Sequence, residues 1–147
     1  MGEKAVADNG WFELQVESDL RNLQVVGDFI AKTMMNLGVD GEKDIFEVQL
    51  AVDEACTNIM EHAYLGKGGK ITIQCRLSPT KKEFTVKLID QGKPFDPNAV
   101  LPPDTEATLD QRKRGGYGIY FMNKLMKTVK YAFTDKGNEL TMTKLLN

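Results

Sequence analysis

Three short stretches of this chain set residue types at spacings that could do chemistry. In Val52-Asp53-Glu54-Ala55-Cys56-Thr57-Asn58, Glu54 and Asn58 stand four apart, so one helical turn stacks them on a common face. A carboxylate above an amide oxygen can act as a general base beside a magnesium ligand. Magnesium takes hard oxygen donors, often only one or two from protein, with phosphate and water supplying the rest. Asp53 is a rival base, but it shares a face with Asn58 less well than Glu54 does. In Ile89-Asp90-Gln91-Gly92-Lys93-Pro94-Phe95, an aspartate closes an apolar run. Its carboxylate could accept a hydrogen bond from an exocyclic amine such as that of adenine, and Gly92 would let a base approach the backbone. In Arg114-Gly115-Gly116-Tyr117-Gly118-Ile119, glycines opening a helix present backbone N–H groups to an anion. The helix dipole, with Arg112, Lys113 and Arg114 beside it, raises the positive potential there.

Each stretch taken singly also has a plainer reading: a solvated helix edge, a strand-ending turn, a flexible loop. Other nucleotide signatures are missing. Gly66-Lys67 is followed by Gly68 where a phosphate-binding loop needs Ser or Thr, and Gly116 and Gly118 lack the third glycine of a dinucleotide fingerprint. The catalytic and metal loops of eukaryotic-type protein kinases are also missing.

The elements that must position these residues follow from apolar periodicity. Trp11 to Val16 alternates as a strand. Ser18 or Asp19 is a suitable N-cap for an amphipathic helix over Asp19 to Asn36, with a stripe of Leu20, Leu23, Val26, Ile30 and Met34. A second helix is expected from about Glu42 to Tyr64, striped by Phe46, Val48, Val52, Ala55, Ile59 and Ala63 and stopped at Gly66-Lys67-Gly68-Gly69. Strands at 71–75 and 84–89 flank a hairpin loop over 78–82. Asp96 to Arg114 carries three prolines, many charges and no apolar period, which marks a long surface loop. The three glycines open a helix to about Met126, and two last strands, 128–133 and 139–146, turn at Lys136-Gly137-Asn138.

A length of 147 residues suits one domain, expected over 11–147 after a loose 1–10. The net charge of −2 gives no electrostatic reason to expect nucleic acid. No apolar run is long enough to cross a membrane, and Met1-Gly2-Glu3-Lys4-Ala5 lacks the apolar core of a signal peptide. Cys56 and Cys75, without a second pair, read as buried reduced thiols. These features together predict a cytoplasmic location. Met34, Met35, Met122 and Met126 read as core or interface fillers.

The order of the three stretches resembles the N, G1 and G2 boxes of the GHKL ATPases, and the likeness runs from about Trp11 to Leu146. Within that superfamily, Glu54 to Tyr64, ending His62-Ala63-Tyr64, is similar to the N box of the anti-sigma-factor serine/threonine kinases. Asp90 to Phe95 matches their Asp-x-Gly-x-Pro-Phe form. The resemblance implies a two-layer α/β sandwich, the GHKL ATP-binding fold, with a mixed, mostly antiparallel sheet covered on one face by helices. It implies ATP and magnesium as cofactors, Glu54 as the base and Asn58 as the metal ligand. Asp90 would contact the adenine and Gly92 would be its close-approach glycine. Arg114, Gly115, Gly116 and Gly118 would hold the phosphates under a lid formed by Asp96 to Arg114. Members often carry threonine after the glycine of the last hairpin, near the adenine; Asn138 stands there in this chain, and its part in the contact stays open. His62, the single histidine, is not expected to be phosphorylated, because the family has a histidine here without that role. The implied activity is phosphoryl transfer to a serine or threonine of a small antagonist protein, alternating with capture of a sigma factor, by a homodimer. Two other readings stand beside it: a non-catalytic ATP-binding module that holds a protein partner, and a detached histidine-kinase-like ATPase domain.

Overall fold

The computed structural model of the chain describes residues 10–95 and 122–147. Strand β1 (Phe12–Glu17) leads through a 3-10 turn into helix α1 (Leu23–Asn36). Helix α2 (Glu42–Asn58) follows and continues as one π-helical stretch, Ile59–Ala63. Strands β2 (Lys70–Leu77), β3 (Glu83–Asp90), β4 (Thr128–Thr134) and β5 (Gly137–Leu145) complete a five-stranded sheet of order β1-β2-β3-β5-β4. All four pairings are antiparallel. β3 and β4 run the same way, but β5 folds back between them, so the mostly antiparallel sheet that was expected contains no parallel pair among the described residues. The expected helix from Gly115 begins outside the described residues; its end is helical at 122–125.

Both helices lie on one face of the sheet. β3 alternates without interruption, with Phe84, Val86, Leu88 and Asp90 buried and the residues between them half-buried. β2 turns Ile71, Ile73 and Cys75 the same way, and β5 turns Asn138, Leu140, Met142 and Lys144. Helix α1 meets this layer with Val26, Phe29, Ile30, Thr33 and Met34. Burying each of the large apolar side chains stabilises the fold by roughly 1.5–3 kcal/mol. Asp19 caps the entry turn, its carboxylate accepting from the Arg21 N–H at 2.9 Å. Leu20, expected in the stripe, is exposed because it belongs to that turn and not to α1. On α2 the buried stripe starts at Ile45, and Phe46, one residue out of phase, faces solvent. Of the four methionines expected as core or interface fillers, Met34, Met122 and Met126 are core, while Met35 is exposed.

The C-terminal half of α2 is buried almost all round, at Ala51, Val52, Ala55, Cys56, Thr57 and Asn58. A helix in that position has no fully solvated edge. Its start is tied to the chain's last residues: the Asp44 carboxylate accepts from the Asn147 N–H at 3.1 Å, and Lys144 pairs with Glu47 at 2.7 Å. Cys56 and Cys75 are free and buried, and burial pushes both thiols up to about 12, so they sit in the core as inert apolar groups.

Candidate functional site

The site is built where the end of α2 meets the ends of β3 and β5. Asp90 closes β3 in phase with Phe84, Val86 and Leu88, and the alternation turns its carboxylate inward, leaving it 2% exposed. The ladder sets Asn138 directly opposite, 3% exposed and in phase with Leu140 and Met142. Asn138 Nδ2 donates to Asp90 Oδ1 at 2.8 Å and to the Gly92 carbonyl at 3.0 Å. The Gly92 N–H donates to the same Oδ1 at 2.9 Å. Both amide hydrogens of Asn138 are thus engaged, which fixes the orientation of the amide. Burial raises the Asp90 carboxyl above its usual range, opposed by the Asn138 and Gly92 donors. Oδ1 is held by two donors, and Oδ2 accepts none among the described residues. A carboxylate so fixed can take a further donor from an exocyclic amine.

The glycines here answer to protein contacts. A Cβ on Gly92 would meet the Ala63 carbonyl oxygen at 2.6 Å. The close approach predicted between Gly92 and a base is therefore first an approach to the backbone at the end of α2. Gly137, at φ +119, lies so close to the Asp90 carbonyl and the Gln91 side chain that any Cβ would collide with both.

Glu54 and Asn58 lie one turn apart on α2, Glu54 half-buried and Asn58 2% exposed. Both Asn58 amide atoms, Oδ1 and Nδ2, are buried and have no hydrogen-bond partner among the described residues. Nearly all buried polar groups in folded proteins are partnered, and an orphaned one costs roughly 1–3 kcal/mol. An amide held at that cost suits a ligand site, with Oδ1 a hard oxygen donor of the kind magnesium takes. Asp53, the rival base, is half-buried, and its carbonyl accepts from Thr57 Oγ1 at 2.9 Å. Among the described residues no group of three or more His, Cys, Asp or Glu side chains could hold a metal by itself. A metal here would need further ligand oxygens from bound phosphate or water. His62 also has a buried Nε2 without a partner among the described residues, and its ring packs on Phe95 at 5.4 Å, which in turn packs on Tyr131 at 5.6 Å.

The structure thus brings Asp90, Gly92 and Asn138 into one hydrogen-bonded cluster. It places Glu54 and Asn58 on the helix whose end packs against that cluster through Ala63 and Tyr64. Arg114, Gly115, Gly116, Gly118 and the expected lid, Asp96 to Arg114, lie outside the described residues. Asn138 was singled out from sequence with its part in the contact left open, and Tyr64 was not singled out. The direct bond from Asn138 to Asp90 was legible, since stepping back by twos from Met142 and Leu140 reaches Asn138. Tyr64 was noted only as the end of a motif, and nothing local marks its contacts.

Comparison with known proteins bears on the same segment. Residues 16–144 match the histidine kinase-like ATPase domain family. A serine-protein kinase RsbW from Bacillus licheniformis is 38% identical over 109 residues, which cover 71% of this chain and 66% of the relative. The serine/threonine-protein kinase BtrW from Bordetella bronchiseptica is 34% identical over 98 residues, covering 67% of this chain and 68% of that protein. The chain spans about two thirds of the length of these relatives. The histidine kinase domain of a blue-light activated histidine kinase from Erythrobacter litoralis superposes over 84% of this chain and 61% of its own, with a TM-score of 0.51 at 16% identity. That likeness concerns the fold.

Proposed function

Because this chain belongs to the histidine kinase-like ATPase domain family, in the branch of the anti-sigma-factor serine/threonine kinases, we propose that it is a protein kinase that binds Mg-ATP and phosphorylates a serine or threonine of a small anti-sigma-factor antagonist. The observation that carries this reading is the orphaned amide of Asn58 beside Glu54, on the helix that docks against the Asp90 cluster. The site offers an acceptor for an amine at one end and an unsatisfied oxygen donor next to a carboxylate at the other. Those are the requirements for holding a nucleotide by its base and its phosphates.

In this reading Asp90 Oδ2 accepts from the exocyclic amine of adenine, and Asn138 and Gly92 hold Asp90 in place. Asn58 Oδ1 is the protein ligand for magnesium, which when bound neutralises charge on the phosphates. Glu54 takes the proton of the attacking hydroxyl as its oxygen bonds to the γ-phosphorus and the bond to ADP breaks. The N–H groups of Gly115, Gly116 and Gly118, with Arg114, steady the phosphate oxygens. Such transfer is mostly positioning and charge stabilisation, which needs no further catalytic group. By the same reading the chain also binds a sigma factor, works as a homodimer and resides in the cytoplasm. No helix of the described residues is long and apolar enough to cross a membrane.

Asp90→Asn tests the adenine end. An asparagine can turn its own NH2 toward the adenine amine, where the carboxylate can only accept. Loss of one charge-assisted hydrogen bond should weaken Mg-ATP binding by roughly 1.5–3 kcal/mol, about 10- to 150-fold in Kd. Calorimetry that finds equal affinities for the two proteins would remove Asp90 from the adenine contact.

A further inference from the structure

The turn that carries Asp90 is bound to the end of the second helix by the backbone donors of Gln91 and Lys93 and to itself by that of Gly92. Gln91 donates its N–H to Tyr64 Oη at 2.9 Å, Gly92 to Asp90 Oδ1, and Lys93 to the Ala63 carbonyl at 2.7 Å. Tyr64 Oη in turn donates to the Lys70 carbonyl at 2.5 Å. Lys70 immediately precedes Ile71, the residue paired with Asp90 across the β2–β3 ladder. One phenol therefore ties the start of β2 to the exit of β3, where the ladder between them ends. The space for it is reserved by Gly69, since any Cβ there would run into the Tyr64 ring.

What brings Tyr64 and Ala63 to this place is the π-helical stretch Ile59–Ala63. Its closing bond runs from the Tyr64 N–H to the Ile59 carbonyl at 2.9 Å, five residues back. Relative to an α-helix, that spacing rotates Ala63 and Tyr64 by the angle of one extra residue about the helix axis. The stretch begins immediately after Asn58. The chain from the orphaned amide to the aspartate's turn is thus a short rigid path: Asn58, the π-turn, Ala63 and Tyr64, then Gln91 to Lys93. Two hydrogen bonds, from the Gln91 N–H to Tyr64 Oη and from the Lys93 N–H to the Ala63 carbonyl, close it.

We infer that Tyr64 is a positioning residue for nucleotide recognition: its hydroxyl, set by the π-turn, fixes Asp90 relative to Asn58, so that the adenine end and the metal end of the site keep one spacing. Tyr64 touches neither ligand nor metal in this account. It acts through the Gln91 N–H on the turn that holds Asp90. The inference rests on the nucleotide reading of the site.

The test is a double-mutant cycle read by calorimetry with adenosine, at a temperature well below the melting transition of every protein used. Tyr64→Phe keeps the ring against Gly69 and removes only the hydroxyl. It should raise the adenosine Kd about tenfold, in keeping with the loss of two hydrogen bonds. In the Asp90→Asn background the same change should move the Kd by less than about twofold, because the residue it acts through has already lost its function. A merely structural tyrosine would lower the melting temperature and leave adenosine affinity unchanged, or cost the same factor in both backgrounds; either result overturns the inference. Amide hydrogen exchange on the unaltered protein gives a second measurement that needs no variant. Adenosine should slow exchange at the Gln91 and Lys93 N–H groups, and unchanged exchange at both despite saturating adenosine would also overturn it. If the unaltered protein binds neither adenosine nor Mg-ATP, the nucleotide reading itself fails, which is a different outcome from a protein that binds adenosine equally well with Phe at position 64.

Discussion

Glu54→Gln should reduce phosphoryl transfer about 100- to 10,000-fold while leaving Mg-ATP affinity close to that of the unaltered protein. Glutamine keeps the length and polarity of the side chain but cannot take a proton at neutral pH, and a positioned general base contributes a factor of that order. In barrier terms the loss is ~3–5 kcal/mol. The prediction requires that Glu54 meets the attacking hydroxyl and not the bound nucleotide, so a binding measurement belongs beside the rate. Single-turnover transfer gives the rate, and calorimetry with Mg-ADP gives the affinity. A variant that transfers at the original rate would pass the role of base to Asp53, the neighbouring half-buried carboxylate on α2.

Asn58→Ala should behave differently, and in two opposite directions at once. Removal of the metal's protein ligand should weaken Mg-ADP binding tenfold or more and lower the transfer rate with it. The protein without nucleotide should not lose stability by the same change. The Asn58 amide is buried with both polar atoms unpartnered among the described residues, so alanine removes an unsatisfied group that costs roughly 1–3 kcal/mol. Thermal melts with and without Mg-ADP separate the two effects. The variant should melt at or above the original temperature when alone, and it should gain less from added nucleotide, because ligand stabilisation follows RT ln(1 + [L]/Kd). A variant that melts lower when alone and gains as much from Mg-ADP would mark Asn58 as a structural residue.

Much of this site could be read from the chain before any coordinates. The alternation through Phe84, Val86 and Leu88 delivers Asp90 to the inner face, and the helical spacing of Glu54 and Asn58 puts both on one side of α2. Both are local rules, period two in a strand and 3.6 in a helix, and both hold here. Other features depend on long-range packing. The spacing of Glu54 and Asn58 gives no sign that Asn58 is 2% exposed, because burial is set by packing against other elements and not by the helix's own period. The fold-back of β5 between β3 and β4 is equally silent, since either order of the last hairpin satisfies the same alternation. The π-turn after Asn58 leaves no mark in composition, although it decides where Ala63 and Tyr64 lie. Phe46 and Leu20 were assigned to apolar stripes by type; a register one residue away leaves Phe46 exposed, and the 3-10 turn before α1 leaves Leu20 exposed. Asn138, whose part was left open by the sequence, gains a physical role from the fold: its amide places both hydrogens on Asp90 and Gly92.

The central claim is that this site moves a phosphoryl group from ATP to a protein hydroxyl. The direct measurement is incubation of the purified chain with γ-labelled ATP, magnesium and each small anti-sigma-factor antagonist encoded in the same genome, followed by phosphoamino-acid analysis. The account predicts label on a serine or threonine of one antagonist, dependent on magnesium and lost with Glu54→Gln. A chain that binds Mg-ATP with Asp90-dependent affinity, yet labels none of these antagonists, would contradict it and leave a nucleotide-binding module that acts by holding its partner.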